Sequence, residues 1–513
     1  MLRALVLIFL SLFIANLLSG QEKSLPNIIF ILADDLGYGE VGAFGQEKIE
    51  TPNIDALAEN GMKFTQFYSG APVCAPARAI LLSGQHAGHS FVRGNDEWGS
   101  RGDVWSHKAM LADSSLEGQY PMPSETVMIP ELLKQKGYKT GMIGKWGLGA
   151  PHSESVPNTQ GFDYFFGYNC QRIAHTLTPT HLWENGNKFH LDNDTLPPST
   201  GLTVDKDPMD RNSYKKYDKK DYAPTISFEK LMGFVEENKD DPFFLYWATP
   251  IPHLPLQAPK RWIDYYVDKF GEEDPYYFME GEKGGYFPTR YPRATYAAMV
   301  SYLDENVGKL VAYLKKEGKY ENTLIIFTSD NGPSYTGGTD SPWFDSGGPF
   351  PSEYGRGKGF VYEGGIRVPM IASWPAHIEA GSESSHISTF YDVLPTLCEI
   401  SGVEPYAATD GMSFAPTLTG EGVQENTAYK YWEFAGYNGQ IAVRRGDWKM
   451  IWKDIKKGNK DVEVYNLADD IAEQNNIADQ HPEMVKEFFK VIKKEHRTPE
   501  VDRFKLDAVE ALF

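Results

Sequence analysis

Unbroken runs of apolar residues that end in polar side chains recur along this chain and predict buried β-strands. Three examples are "NIIFILADD" at residues 27–35, "PFFLYWATPIPH" at 242–253 and "NTLIIFTSDNG" at 322–332. A run without polar alternation is typical of a strand that is buried on both faces, as in a parallel sheet. A further strand is predicted to run into Lys145, after a short helix that stops at Gly137.

Helices alternate with these strands, which indicates an α/β fold. Between Arg293 and Glu317 apolar residues recur at helical spacing, and Gly318 follows as a C-terminal stop. Strands that alternate with helices predict a large, mostly parallel sheet flanked by helices. In open sheets of this kind ligands bind in the crevice beyond the carboxyl ends of the strands, where the polar residues of the runs lie.

The pattern changes towards the C-terminus, where short alternating strands and one amphipathic helix predict a smaller unit. We therefore expect a signal peptide at residues 1–20, a catalytic domain at 21–420 and a C-terminal α+β subdomain with a small antiparallel sheet at 421–513. Two polar, aromatic stretches, 185–221 and 271–292, predict long surface loops of the kind that carry binding specificity.

The N-terminus has the three-part pattern of a secretory signal peptide: a short basic start, an apolar run from Ala4 to Leu18, and small residues before Gln21. The run is short for a membrane span of about 20 residues, so export is favoured over the alternative of a membrane anchor. We expect an exported protein, periplasmic or extracellular, with no transmembrane anchor after signal cleavage.

Composition narrows the classes of partner. The chain has 70 acidic and 50 basic residues and a formal charge of −20, which argues against nucleic acid because phosphate binding needs a basic surface. Three cysteines are too few for a disulfide scaffold, and the odd count leaves at least one unpaired.

Acidic and amide side chains end two of the apolar runs. Asp34 and Asp35 follow the first run, and Asp330 and Asn331 follow the third. These side chains offer only hard oxygen ligands, which suit Ca²⁺ or Mg²⁺ better than zinc. One acidic pair alone is more often a cap or a solvated turn, but two pairs at two strand ends favour a metal site.

Cationic side chains stand at comparable positions. Lys145 ends a strand, Lys358 lies between glycines in "GRGKGF", and His253 lies in "PIPHLP". Arg78 comes one helical turn after Cys74 in "APVCAPARAILLSGQ", residues 71–85. Together these groups favour a clamp for a tetrahedral oxyanion.

These residues carry a resemblance to the formylglycine-dependent sulfatases of the alkaline phosphatase superfamily. "CAPAR" is similar to that family's Cys-x-Pro-x-Arg signature. Further segments resemble the family in its order, and they cover nearly all of the chain after the signal: "ILADDLGYGEVGAFG", "GYKTGMIGKWGLG", "TSDNG", "GRGKGFVYEGGIRVPMIASWP" and "VYNLADDIAEQNNIAD".

The resemblance implies a fold, a modification and a reaction. The fold is alkaline-phosphatase-like, and a maturation enzyme oxidises Cys74 to formylglycine (3-oxoalanine), an aldehyde. One hydroxyl of the hydrated aldehyde attacks sulfur, and loss of a proton from the second lets sulfate leave by C–O cleavage. The alternative for Cys74 is a buried, small apolar residue.

The resemblance also implies roles for single residues. It implies one Ca²⁺ held by Asp34, Asp35, Asp330, Asn331 and the modified Cys74. Arg78 is implied to hold the modified side chain, and Lys145 and Lys358 to bind sulfate oxygens. His253 is implied to assist the leaving alcohol.

The chain departs from the family at Ala77, where serine is more usual, and at Gly147, where many members have histidine. We expect glycine at 147 to open room for a sugar ring or for a histidine from another loop. The nearby "CQRIAHTLTPTHLW" is similar to a subgroup of bacterial sulfatases that act on sulfated galactose-type sugars. We therefore expect Arg172 and His175 to line a sugar subsite, with His175 partly supplying the missing proton acceptor; for His181 we favour an incidental loop histidine.

The sequence thus predicts a secreted sulfatase that acts on a sulfated carbohydrate, with galactose or N-acetylgalactosamine 4- or 6-sulfate favoured. A phosphoester or phosphonate hydrolase on the same fold is the alternative enzyme, although the ligands suffice for about one metal. A non-catalytic carbohydrate-binding relative is the third possibility, against which Cys74, Arg78, Lys145, Lys358 and His253 argue.

Overall fold

The apolar runs form the centre of a ten-stranded sheet. The structure, a computed structural model, describes residues 25–404 and 406–513, so the predicted signal peptide at 1–20 lies outside the described residues. The strands are β1 Asn27–Ala33, β2 Met62–Phe64, β3 Phe67–Tyr68, β4 Lys139–Lys145, β5 Tyr164–Tyr168, β6 His181–Glu184, β7 Asn187–His190, β8 Phe243–Ala248, β9 Thr323–Ser329, β10 Met370–Ser373, β11 Ser382–Ser384, β12 Ser388–Thr389, β13 Lys430–Phe434, β14 Gln440–Arg445, β15 Trp448–Lys453 and β16 Val462–Asn466.

The large sheet has the order β11-β2-β10-β9-β1-β8-β4-β5-β6-β7. Its five central strands, from β9 to β5, are parallel, and β10, β6 and β7 pair antiparallel at the two sides. The predicted large, mostly parallel sheet flanked by helices is therefore confirmed. Ala33 pairs with Ser329 and Gly144 with Ala248, so the polar residues that follow these strands meet at one edge.

Both faces of β1 are buried, which explains its unbroken apolar run. Ile28, Phe30 and Leu32 pack in one core, and Ile29 and Ile31 pack in another on the opposite face. The described α-helices are α1 Pro52–Glu59, α2 Cys74–Ser83, α3 His107–Ala112, α4 Ile129–Lys134, α5 Ala223–Glu237, α6 Lys260–Phe270, α7 Pro292–Lys316, α8 Ser341–Phe344, α9 Glu363–Ile366, α10 Val393–Ile400, α11 Ala415–Thr419, α12 Pro482–Glu495 and α13 Asp507–Glu510. Of the described helices, none is both long and apolar enough to span a membrane.

The C-terminal strands form a separate antiparallel sheet in the order β13-β14-β15-β16. One face of this sheet packs on α12, which buries Phe488 and Ile492 there. Trp432 on the other face packs with Tyr362, and its indole N–H donates to the carbonyl of Ser69 at 2.8 Å. The small sheet therefore lies against the segments that flank Cys74 and Lys358.

Candidate active site

Cys74 is the first residue of α2, a helix whose ten residues are all buried. Its Sγ lies 3.3 Å from Oδ1 of Asp34 and 3.9 Å from Oδ1 of Asp35. Burial raises the pKa of this thiol far above its usual value, and the charges of Asp330 and Asp34 add to the effect. The unmodified side chain is thus a neutral thiol at physiological pH and a poor nucleophile.

The acidic residues converge because two strands end side by side. The backbone N–H of Asp35 donates to Oδ1 of Asp330 at 3.1 Å, and Nδ2 of Asn331 donates to Oδ1 of Asp35 at 2.8 Å. Asp35 has φ 66°, a left-handed conformation that turns the chain directly after Asp34. All four side chains are buried at the carboxyl edge of the sheet.

Two lysines from distant segments face these carboxylates. Nζ of Lys145 lies 2.6 Å from Oδ2 of Asp34, and Nζ of Lys358 lies 2.6 Å from the carboxylate of Asp35. Burial acts to raise the pKa of Asp34, but Lys145 and the neighbouring cations outweigh it and lower that pKa. For Asp330, burial and the charges of Asp34 and Asp35 raise the pKa to about 8.

The acidic group fits a hard divalent cation. Its donors are carboxylate and amide oxygens, which Ca²⁺ and Mg²⁺ prefer. Oδ1 of Asn331 is buried and has no hydrogen-bond partner within residues 25–404 and 406–513, as expected of an oxygen reserved for a ligand. Atoms of Asp34, Asp35, Cys74 and His253 lie within 4.8 Å of one another. Asp34, Asp35, Asp330 and Asn331 are therefore the residues that would hold the ion.

Arg78 is held on the Asp330 side of the site. Its Nη1 lies 3.4 Å from Oδ2 of Asp330, its Nε donates to the carbonyl of Trp146 at 2.9 Å, and its Nη2 donates to Oε1 of Gln171 at 2.7 Å. The side chains of Arg78 and Asp330 are each 1% exposed. The helical turn between Cys74 and Arg78 thus ties the start of α2 to the acidic group.

The expectation of open room beside Gly147 is wrong. A Cβ atom built on Gly147 would lie 2.7 Å from Nη2 of Arg78 and 2.7 Å from Cγ of Gln171. Gly147 also has φ 66°, a conformation that favours glycine. Sequence reasoning missed Gln171, although it stands directly before Arg172; only its packing on Arg78 distinguishes it from other polar residues in that segment.

His253 belongs to a cluster of three rings. Its Nδ1–H donates to the carbonyl of Leu254 at 2.6 Å, which leaves Nε2 facing Oδ2 of Asp35 at 3.7 Å. The His175 ring stacks on His253 with centroids 5.6 Å apart and planes 15° apart. The ring of Tyr286 packs edge to face with His175 and His253, with ring centroids 5.3 and 5.9 Å apart.

Burial sets the protonation state of the two histidines. It lowers the pKa of His253, and the positive charges of Lys358 and Lys145 lower it further. Burial likewise lowers the pKa of His175, with a further contribution from His253. Both imidazoles are therefore neutral at physiological pH. Sequence reasoning missed Tyr286, although the loop 271–292 that carries it was predicted to contribute to specificity.

Arg172 precedes a 3₁₀ helix, Ile173–His175, and lies over the ring of Trp105 at 5.3 Å. Trp105 is 47% exposed, and Nε of Arg172 is buried with no hydrogen-bond partner in the described part of the chain. His181 lies in β6 instead of a loop, with Nε2 2.9 Å from Oε1 of Glu117. His181 therefore pairs with Glu117, whereas Arg172 contacts Trp105 and His175 stacks on His253.

A second group of metal-ligand residue types lies between α2 and α12 and is a hydrogen-bonded cluster. The backbone N–H of Gly88 donates to Nδ1 of His86 at 3.1 Å, so the proton of this imidazole is on Nε2. That nitrogen lies 3.0 Å from Oε2 of Glu495. Nδ1 of His89 lies 2.8 Å from Oδ1 of Asp410. Because Nε2 of His86 carries its proton, it offers no lone pair to a metal.

Comparison with known proteins identifies the family. Residues 26–403 match the sulfatase family, and residues 353–498 match a family described as N-sulphoglucosamine sulphohydrolase, C-terminal. Human arylsulfatase A is 32% identical over 83% of this chain and 74% of its own length. N-acetylgalactosamine-6-O-sulfatase of Bacteroides thetaiotaomicron is 28% identical over 92% of this chain and 94% of its own.

A solved structure is similar over nearly the whole chain. The crystal structure of Ps i-CgsB in complex with k-i-k-neocarrahexaose superposes with a TM-score of 0.71 at 26% identity, and the match covers 95% of this chain and 96% of that one. The chain therefore belongs to the sulfatase family and is a sulfuric ester hydrolase.

Proposed function

We propose that this protein is an exported, formylglycine-dependent sulfatase that removes sulfate from a carbohydrate. The observation that carries the proposal is the position of Cys74. It begins a buried helix, lies 3.3 Å from Asp34, and is surrounded by the acidic group, Lys145 and Lys358. Its neutral thiol is a poor nucleophile, which supports conversion to the aldehyde by a formylglycine-generating or equivalent maturation enzyme.

The surrounding side chains have separate roles in this proposal. Lys145 and Lys358 bind sulfate oxygens, and Arg78, which pairs with Asp330, holds the modified side chain of residue 74. His253 donates its Nδ1–H to the carbonyl of Leu254, so the Nε2 lone pair faces the site; Nε2 accepts the proton that the attacking hydroxyl loses and passes it to the leaving oxygen. Asp34, Asp35, Asp330, Asn331 and residue 74 would hold one Ca²⁺, which would supply positive charge to stabilise the nucleophile and the sulfate.

The favoured substrate is galactose or N-acetylgalactosamine 4- or 6-sulfate in a polysaccharide. The names of relatives support it, since one is an N-acetylgalactosamine-6-O-sulfatase. Arg172 and His175 line the sugar subsite in this proposal. The Nε of Arg172, which is buried and has no hydrogen-bond partner among the described residues, is available to donate to a sugar hydroxyl or sulfate. We also propose that the neutral His175 partly replaces the histidine that many family members have at position 147. It would act from its place beside His253, because Arg78 and Gln171 occupy the space next to Gly147.

A substrate panel tests the proposal. The protein is co-expressed with a formylglycine-generating enzyme, and peptide mass verifies the conversion of Cys74. We expect the matured enzyme to release sulfate from N-acetylgalactosamine sulfates, galactose sulfates and an aryl sulfate. We expect no release of phosphate from an aryl phosphate. Faster hydrolysis of glucosamine sulfates would show the substrate assignment to be wrong. Hydrolysis of the aryl sulfate alone would contradict carbohydrate specificity.

Metal content is a separate prediction. We expect one Ca²⁺ per chain, and Asp330→Ala is expected to lower both bound metal and activity, because Asp330 lies within 3.1 Å of Asp35 at the end of the neighbouring strand. Elemental analysis of the dialysed protein measures this. Asp410→Ala, in the separate histidine cluster, is the matched control and should keep its metal. A stoichiometric pair of zinc ions would contradict the single-site proposal.

The alternatives are weaker on these observations. Phosphatases of this superfamily commonly use two metals with added histidine ligands, whereas the described acidic group at Cys74 accounts for about one, which disfavours a phosphoester hydrolase. A relative that only binds carbohydrate does not need two largely buried lysines that face carboxylates. Removing such charges from water costs free energy, so their presence favours a catalytic role.

A further inference from the structure

Four aromatic side chains form a partly exposed surface beside Lys358: Tyr335, Tyr354, Phe360 and Tyr437. We call this surface the aromatic platform. Tyr354 is 70% exposed and Tyr437 is 43% exposed, which makes them two of the more exposed large side chains among the described residues. Solvent-exposed aromatic groups that cluster are a mark of a binding surface, whereas single exposed ones need no explanation.

The platform is assembled from three separate segments by ring contacts. Tyr335 and Tyr354 meet edge to face with centroids 5.4 Å apart, and Tyr354 meets Phe360 in the same way at 5.4 Å. Phe360 and Tyr437 are 5.0 Å apart. The hydroxyl of Tyr335 donates to the hydroxyl of Tyr437 at 3.3 Å. These contacts hold the rings in fixed positions at low conformational cost.

The platform lies next to the segment that carries Lys358. Phe360 is two residues from Lys358, whose backbone N–H donates to the carbonyl of Pro333 at 3.3 Å, two residues before Tyr335. The ring of Tyr437 lies against Gly359, where an added Cβ atom would lie 2.7 Å from it. The platform therefore contacts Gly359, the residue that follows Lys358, and lies next to the segment that carries this proposed sulfate-binding lysine.

The C-terminal subdomain supplies Tyr437 through a strained turn. Tyr437 has φ 47° and Asn438 has φ 71°, and the N–H of Gly439 donates to the carbonyl of Gly436 at 2.9 Å. The first central position of such a hairpin turn usually holds asparagine, aspartate or glycine. A tyrosine there is retained at a conformational cost, and its ring is directed onto Phe360.

We propose that the aromatic platform binds the sugar units that adjoin the sulfated unit in the same glycan chain. The inference rests on the proposed carbohydrate function and adds where the rest of the polymer lies. A pyranose presents a face of C–H groups that packs on an aromatic face, and its hydroxyls reach the phenol groups of Tyr354 and Tyr437. The platform carries no charge of its own, since it consists of neutral phenol and phenyl rings, so it suits the hydroxyl-rich part of the chain and not a second sulfate.

The experiment compares substrate lengths. Tyr354→Ala, Tyr437→Ala and wild type are assayed on N-acetylgalactosamine 6-sulfate, on a tetrasaccharide that contains the same sulfated unit, and on an aryl sulfate. We expect kcat/KM on the tetrasaccharide to fall about five- to tenfold for each variant, while the values on the two small substrates stay unchanged. Tyr354→Phe is expected to keep most of the tetrasaccharide activity because the ring remains.

Tyr265→Ala is the matched control, since Tyr265 is 42% exposed on α6 and hydrogen-bonds to Glu50, away from the Lys358 segment. Equal losses on all three substrates would show that the platform only positions Lys358, and unchanged tetrasaccharide activity would overturn the proposal. A change of oligomeric state in Tyr354→Ala would show that the platform contacts a second copy of the chain instead. If wild type cleaves the aryl sulfate and neither sugar, the proposed carbohydrate function itself fails.

Discussion

Replacement of Cys74 by serine is expected to slow steady-state turnover on the order of 10⁴-fold or more, since the sulfate ester of serine cannot release sulfate by the aldehyde route. Serine provides one hydroxyl, so its sulfate ester has no second hydroxyl from which a carbonyl can reform. The variant is therefore expected to react at most once and to gain the mass of one SO₃ group. Time-resolved sulfate release and intact mass measure the two effects.

The fold of this variant is expected to persist, because the site of Cys74 lies among polar groups and serine is of similar size. Cys398→Ser is the matched control: Cys398 is also buried and free, but it lies in α10. It should retain activity after a modest loss of stability. Sustained turnover by Cys74→Ser at a rate close to that of wild type would contradict the aldehyde mechanism.

Lys145→Ala and Lys358→Ala are each expected to lower kcat/KM about 10²-fold or more, as is typical when one buried donor to developing negative charge is removed. Lys145 is 2% exposed and Lys358 17%, so water screens their charges poorly. Each variant also leaves a carboxylate, Asp34 or Asp35, without its nearest cation. Kinetics on an aryl sulfate and thermal unfolding should be measured together.

Lys430→Ala separates the kinetic effect from the loss of a buried ion pair. Nζ of Lys430 lies 2.6 Å from Oδ2 of Asp392, a pair as buried as Lys145 with Asp34 but built on β13 in the C-terminal sheet. Its loss is expected to lower stability by about 3 kcal/mol or more and to leave kcat/KM of the folded enzyme nearly unchanged. Comparable kinetic losses in all three lysine variants would show that stability, and not sulfate binding, explains them.

The sequence alone was enough to predict the sheet and most of the residues at its edge. β1, β8 and β9 are parallel strands buried on both faces, so their apolar runs are unbroken and easy to recognise. In such a sheet the carboxyl ends of neighbouring strands coincide, which is why Asp34 and Asp330 were expected together. The signature around Cys74 needed no tertiary information, since its five residues, Cys74 to Arg78, follow one another at the start of one helix.

Only the tertiary structure decided how these residues pair and what surrounds them. Gln171 fills the space beside Gly147, Tyr286 and His175 enclose His253, and Tyr437 of the small sheet reaches the Lys358 segment. Each contact joins residues far apart in the chain, and each depends on packing and on which hydrogen-bond partners remain buried. Periodicity and spacing report which face of an element is apolar, but they carry no information about which distant side chain occupies a given space.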